Sequence, residues 1–218
     1  MFRMVLLTQW KWSRIALCAA TVAAFTVPII SVQSFSDPAM GWIEGRRVLQ
    51  IMRVYGGWYA MLAAAVGLAV AVSAWSADHR GRHVYALSLP VPRWHLVLLR
   101  FGAGALLLLL PALALWIGAL LATASIPIPP GLEAFPTALA MRFALASLVA
   151  FGIFFAISAG TARTAGWVLG AIVSVFLLAM AGGSIGVPDA VMAEIHELVF
   201  SWPVMLEVFN GSWMLIDV

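Results

Sequence analysis

A chain of 218 residues that is 64% hydrophobic and only 10% charged, with a mean hydropathy of +1.03, cannot dress a water-facing surface, because soluble domains carry about 25% charged residues. Lipid must solvate most of it, so its length is better counted in crossings of about 20 residues than in soluble domains. One cysteine, Cys18, excludes a disulfide framework and a multi-cysteine metal site, and a net charge of +3 on scattered basic residues marks topology rather than nucleic-acid binding.

Residues 1–13 (MFRMVLLTQWKWS) mix apolar and basic side chains with two tryptophans, the composition of a helix lying in the headgroup layer. The run that follows, 14–32, charge-free after Arg14, is long for a leader and has further spans behind it, so it reads as an uncleaved first crossing. The segment 41–55 has apolar residues at helical spacing with Arg46, Arg47 and Arg53 between them, which predicts a second interfacial helix.

A second crossing is predicted over 57–75, bracketed by Trp58 and Trp75 as interfacial aromatics tend to be. The third covers 101–124 and is followed by a tight loop, Pro127-Ile128-Pro129-Pro130-Gly131. A fourth run, 138–160, contains Arg142, so the hydrocarbon begins at or after that residue. The fifth is 165–185, with Trp167 near one end. Beyond it, Pro188 and Asp189 open a short helix, and a sixth crossing from about Leu198 would bury Glu207 at high cost. The region 186–218 therefore reads as an external or re-entrant tail, and the fold class as all-α: one transmembrane domain, 1–218, of five clear helices, a possible sixth, and interfacial amphipathic helices.

Orientation follows from the basic residues of short loops. With the N-terminus inside, Arg3, Lys11, Arg14, Arg80, Arg82, Arg93, Arg100 and Arg163 fall inside, eight of the twelve basic residues. Arg46, Arg47, Arg53 and Arg142 fall outside.

Chemistry-bearing motifs are sparse. Lys11 is the only lysine and no phosphate-binding Gly-x-x-x-x-Gly-Lys loop occurs, so any nucleotide hydrolysis belongs to a separate chain. His79 and His83 are four apart, yet no further His or Cys cluster stands beside them to make a metal site. No nucleophile elbow occurs. The cores of the five runs hold no ionisable residue, which argues against a proton-relay transporter. The few weakly polar residues there, Thr21, Thr26, Ser147, Ser158 and Ser174, are the candidates for lining a path. Gly166 and Gly170, and separately Ala63, Gly67 and Ala71, are small residues at a spacing that lets helices approach closely.

The most informative segment is 76–100, SADHRGRHVYALSLPVPRWHLVLLR, with four arginines, three of the four histidines and a proline break. Asp78, Arg80 and Arg82, followed by Leu89, Pro90 and Arg93 ahead of the third crossing, resemble the permease subunits of type-2 ABC exporters, where an acidic residue and several basic ones precede a Leu-Pro-x-x-Arg sequence. The resemblance implies a coupling segment that seats, through residues 76–89, on a cytoplasmic ATPase subunit carrying ATP and magnesium, with no cofactor on this chain. It also implies a second copy or homologue of the permease, contact with membrane lipid, and residence in a bacterial inner membrane. That family has six spans and a cytoplasmic C-terminus, which this chain does not match. The rival reading is a non-transporting accessory subunit of a larger membrane complex. A membrane enzyme would need a converging polar cluster, and none is evident.

Overall fold

The computed structural model describes residues 1–34, 45–80, 92–126, 128, 131–160 and 213–217, with 163, 166–168, 170–171, 173–174, 177 and 206–209; the side chains of 46–47, 77–80, 93 and 206–207 are excepted. Four helices carry the fold: α1 (Phe2–Gln33), α2 (Gly45–Arg80), α3 (Arg93–Ala124) and α4 (Pro136–Ser158). Each contains a window long and apolar enough to cross a bilayer. In hydrocarbon a helix satisfies its own backbone, which is why these apolar runs are helical throughout.

Among the described residues the candidate crossings therefore number four, not the expected five. The positions described within 165–185 are helical and exposed, Trp167 and Leu177 among them, and the remainder of that run lies outside the described residues. The same is true of 186–205, and so of most of the possible sixth crossing.

The helices are longer than composition suggested. Residues 2–13 are not a separate interfacial element: α1 runs unbroken for 32 residues, about 48 Å. Residues 45–55 likewise run straight into α2, which has 36 residues. A change from basic to apolar composition does not interrupt a backbone hydrogen-bond ladder: no glycine or proline stands beside Ser13, and α2 runs on through Gly56 and Gly57. Pro28 and Pro111 sit inside α1 and α3, and a helix packed among others tolerates them there.

The four helices form a ring, α1 beside α2, α2 beside α4, α4 beside α3, and α3 beside α1. Helices α1 and α3 run parallel, as do α2 and α4, and the two pairs are antiparallel. Without a hydrophobic drive between helices in lipid, close packing must hold them. Gly118 lies against the backbone carbonyl of Phe25, so any side chain there would part α1 from α3. At Gly67 a Cβ would fall 2.7 Å from the Cβ of Ala150, which fixes the α2–α4 approach. Ala63, Gly67 and Ala71 are all buried, as their spacing predicted. Gly166 and Gly170 meet nothing within 4 Å among the described residues.

The core has two levels. Near the N-terminal end, Leu17, Val66, Val70, Trp75, Leu107, Leu108, Phe151 and Phe155 pack together. At the opposite end, Val32, Val48, Met52, Tyr59, Leu115, Leu139 and Phe143 surround Trp213, Leu215 and Ile216 from the tail. Here the all-α expectation meets a small correction. Strands β1 (Glu133–Ala134) and β2 (Ile216–Asp217) pair antiparallel, Glu133 opposite Asp217, and the Phe135 amide donates to the Leu215 carbonyl at 2.9 Å. A tail inserted among helix ends must satisfy its backbone, and the residues leading into α4 supply the partners. The Arg142 Nε donates to the Val208 carbonyl at 3.2 Å, and its guanidinium stands 4.8 Å from the Trp213 ring centroid.

Candidate functional site

The segment 76–100 was the expected docking element. Asp78 and Arg80 lie on the last turn of α2, and Arg93 is the first residue of α3, behind Pro92 with φ −56° and ψ 131°. Such an extended proline cannot continue a helix from its N-terminal side, so α3 starts afresh there. Arg82, Leu89 and Pro90 lie outside the described residues.

Directly beneath this segment the four helices are clasped together. Trp75 on α2 is buried and its indole N–H donates to the Phe155 carbonyl on α4 at 3.2 Å. The Arg100 guanidinium on α3 stands 5.0 Å from the Trp75 ring centroid, within the range in which a cation is attracted by a ring face. The Gln9 side-chain amide on α1 donates to the Arg100 carbonyl at 3.1 Å. Phe101, Phe151 and Phe155 complete the cluster, with ring centroids 5.1 to 5.6 Å apart, a favourable spacing for tilted and edge-on aromatic pairs.

Gln9 is 3% exposed, and its Oε1 has no hydrogen-bond partner among the described residues. Ser13, one turn on, donates to the Gln9 main-chain carbonyl at 2.8 Å. At the entrance to α3, Trp94 is exposed and stacks on His95 at 4.4 Å. Both ends of the 81–91 connection thus run into one aromatic and amide junction.

The weakly polar residues expected to line a path are not assembled into one. Thr21 donates to the Leu17 carbonyl at 2.7 Å, Thr26 to that of Val22 at 2.9 Å, and Ser147 to that of Phe143 at 2.7 Å. Each hydroxyl is spent on its own helix, the usual solution where no water is at hand. Ser158 is buried in the last turn of α4, about 16 Å along the helix from Ser147, and Ser174 is exposed. Thr21 and Ser147 sit on α1 and α4, which occupy opposite corners of the ring. Among the described residues no group of three or more His, Cys, Asp or Glu comes together to hold a metal ion.

Comparison with protein-family models, curated proteins and solved structures finds no match. The site must be read from its own geometry.

That geometry rests on residues given other roles, or none, in the sequence. Trp75 was read as an interfacial marker and Arg100 as a topology charge; Gln9, Phe101, Phe151 and Phe155 drew no attention. Gln9 carried one signal: an uncharged amide among apolar and basic neighbours that needs a partner once buried.

Proposed function

We propose that this chain is the membrane-spanning permease subunit of an ATP-driven export system of the type-2 ABC class. It sits in a bacterial inner membrane with its N-terminus in the cytoplasm. The observation that carries the reading is the clasp beneath 76–100. A push on that segment enters α2 and α3 at once, passes through Trp75 to α4, and through Gln9 to α1. A partner that grips Asp78, Arg80, Arg82, Leu89, Pro90 and Arg93 would thereby move the whole bundle as a unit. The partner is a cytoplasmic ATPase holding ATP and magnesium, and a second permease copy completes the transporter. This chain carries no catalytic residue of its own.

Five crossings are proposed, one fewer than the six of that family. The N-terminus and strand β2 lie at opposite ends of the bundle, while four helices return the chain to the end at which it started. One more crossing between 160 and 206, the apolar run 165–185, brings the tail to the outer end.

A second reading draws on the hydroxyls. Thr21, Thr26 and Ser147 are bonded within their own helices, which suits an accessory subunit that packs and scaffolds without transporting. Affinity purification of the full chain from its native membrane separates the two. The permease reading expects a co-purifying ATPase that is lost when Arg80→Glu and Arg82→Glu are combined. A stable complex with no ATPase in it would sink that reading in favour of the scaffold.

A further inference from the structure

Between α1 and α2 runs a groove with about 650 Å³ of empty space, walled by Ala16, Leu17, Ala20 and Ala23 on one side and by Leu62, Ala65, Val66, Ala69 and Val70 on the other. Every wall side chain is apolar, and most are alanines. The groove opens outward from two membrane-spanning helices, so lipid or another protein segment must fill it.

Size decides between these. The wall residues extend over about 12 Å of helix, and the empty space of about 650 Å³ between them corresponds to a channel about 8 Å wide. A helix with its side chains is about 10–12 Å across, too thick to enter. A single hydrocarbon chain is not. Toward the opposite pole of the bundle the groove stops at Ala23 and Leu62, and farther along the same helices α1 and α2 are tied by the Ser34 and Tyr55 hydroxyls, 2.7 Å apart. Toward the N-terminal end it begins two residues past Arg14. Arg3, Lys11 and Arg14 are all exposed on the turns of α1 below that mouth. Their charges do not line the groove, yet they lie close enough for the mouth to feel them, within a screening length of about 8–10 Å for Lys11 and Arg14.

We propose that this groove seats one acyl chain of an anionic phospholipid from the leaflet at the N-terminal end, drawn there by the basic turns of α1. The inference rests on the membrane-spanning character of α1 and α2 and not on the permease reading, so the ATPase experiment has no bearing on it. The seat explains why the α1–α2 contact is built from alanines: small side chains leave a crevice that larger ones would close. A lipid held there would wedge or brace these two helices as the bundle moves.

The test uses the full chain in vesicles of phosphatidylcholine and phosphatidylglycerol, with trace phosphatidylglycerol carrying a photoactivatable group in mid-chain. Adducts mapped by mass spectrometry are expected to concentrate on residues 16–23 and 62–70, severalfold above the exposed α3 face at Leu106, Leu109, Leu113 and Ile117. Filling the groove with Ala69→Phe or Ala20→Phe should bring them down to that level, while Leu113→Phe leaves them unchanged. Lys11→Gln and Arg14→Gln should each lower the preference over labelled phosphatidylcholine by about fivefold. Uniform labelling of groove and α3 in the unaltered protein overturns the proposal, whether or not the filled variants fold. Equal labelling by phosphatidylcholine overturns it too. So does a copy-to-copy disulfide formed by Ala20→Cys in a Cys18→Ser background, which would make the groove a contact between two copies of this chain.

Discussion

Replacing Trp75 tests the clasp most directly. In Trp75→Phe the ring is kept and the indole N–H that reaches the Phe155 carbonyl at 3.2 Å is removed. That carbonyl still accepts from the Ala159 amide at 3.1 Å, so no acceptor is orphaned and the loss stays near 1 kcal/mol. The smaller ring also weakens the attraction of Arg100, for about 0.5 kcal/mol more. Trp75→Ala instead opens a cavity beside Phe155, whose ring centroid is 5.2 Å away, and should cost about 3–5 kcal/mol. The control is Trp58, 57% exposed on the same helix, where removal of the ring should change stability by less than about 0.5 kcal/mol. Reversible unfolding in mixed micelles, titrated with dodecyl sulfate, measures all three. Crossing Trp75→Phe with Arg100→Gln should give a coupling of about 0.5 kcal/mol. If Trp75→Ala unfolds no more readily than Trp58→Ala, or the coupling is zero, the clasp does not bind the helices together and the route from 76–100 into the bundle is lost.

Other substitutions probe the rest of the framework by the same unfolding measurement. Gly118→Leu should destabilise by at least about 1–3 kcal/mol because the new side chain meets the Phe25 backbone, whereas Gly57→Ala, with nothing within 4 Å, should be neutral or slightly stabilising. Ser147→Ala should be tolerated within about 0.5 kcal/mol, since its hydroxyl serves only the Phe143 carbonyl one turn back; a large loss of export with normal stability would restore it as a path residue. Arg142→Met removes the bond to Val208 and the cation over Trp213, costing about 1–3 kcal/mol, and should speed protease cleavage near the C-terminus in right-side-out vesicles.

Much of the architecture was legible because the bilayer is a simple solvent. About 20 apolar residues without charge can do little else in hydrocarbon than form a helix, and the runs at 14–32, 57–75, 101–124 and 138–160 each lie within or nearly coincide with a described helix. Their ends were less legible. Ser13 and Tyr55 mark changes of composition, and composition alone does not stop a helix, which at the second of these continues even through Gly56 and Gly57. The stripe Ala63, Gly67, Ala71 was readable as a contact because small residues matter wherever two helices touch, but nothing in it named Ser147 and Ala150 as what it touches.

The clasp was not legible at all, and the reason is distance along the chain. Gln9, Trp75, Arg100 and Phe155 have no pattern in common and stand in four different helices; only the ring order of the bundle brings an amide, an indole, a guanidinium and a carbonyl to one level. The tail was similarly opaque. Its apolar residues Trp213, Leu215 and Ile216 suited a weak crossing as well as an external segment, and strand pairing with Glu133 and Ala134 rules out a helical crossing at Ile216 and Asp217. Sequence alone determined that the chain lives in lipid, where its first crossings lie and which end carries the positive charge, because hydrophobic length and charge are local properties of the chain. Which hydroxyls are already spent, which small residues leave an acyl-wide groove and which aromatic ring locks the helices beneath 76–100 were decided by packing, a property of helices held together and of none of them separately.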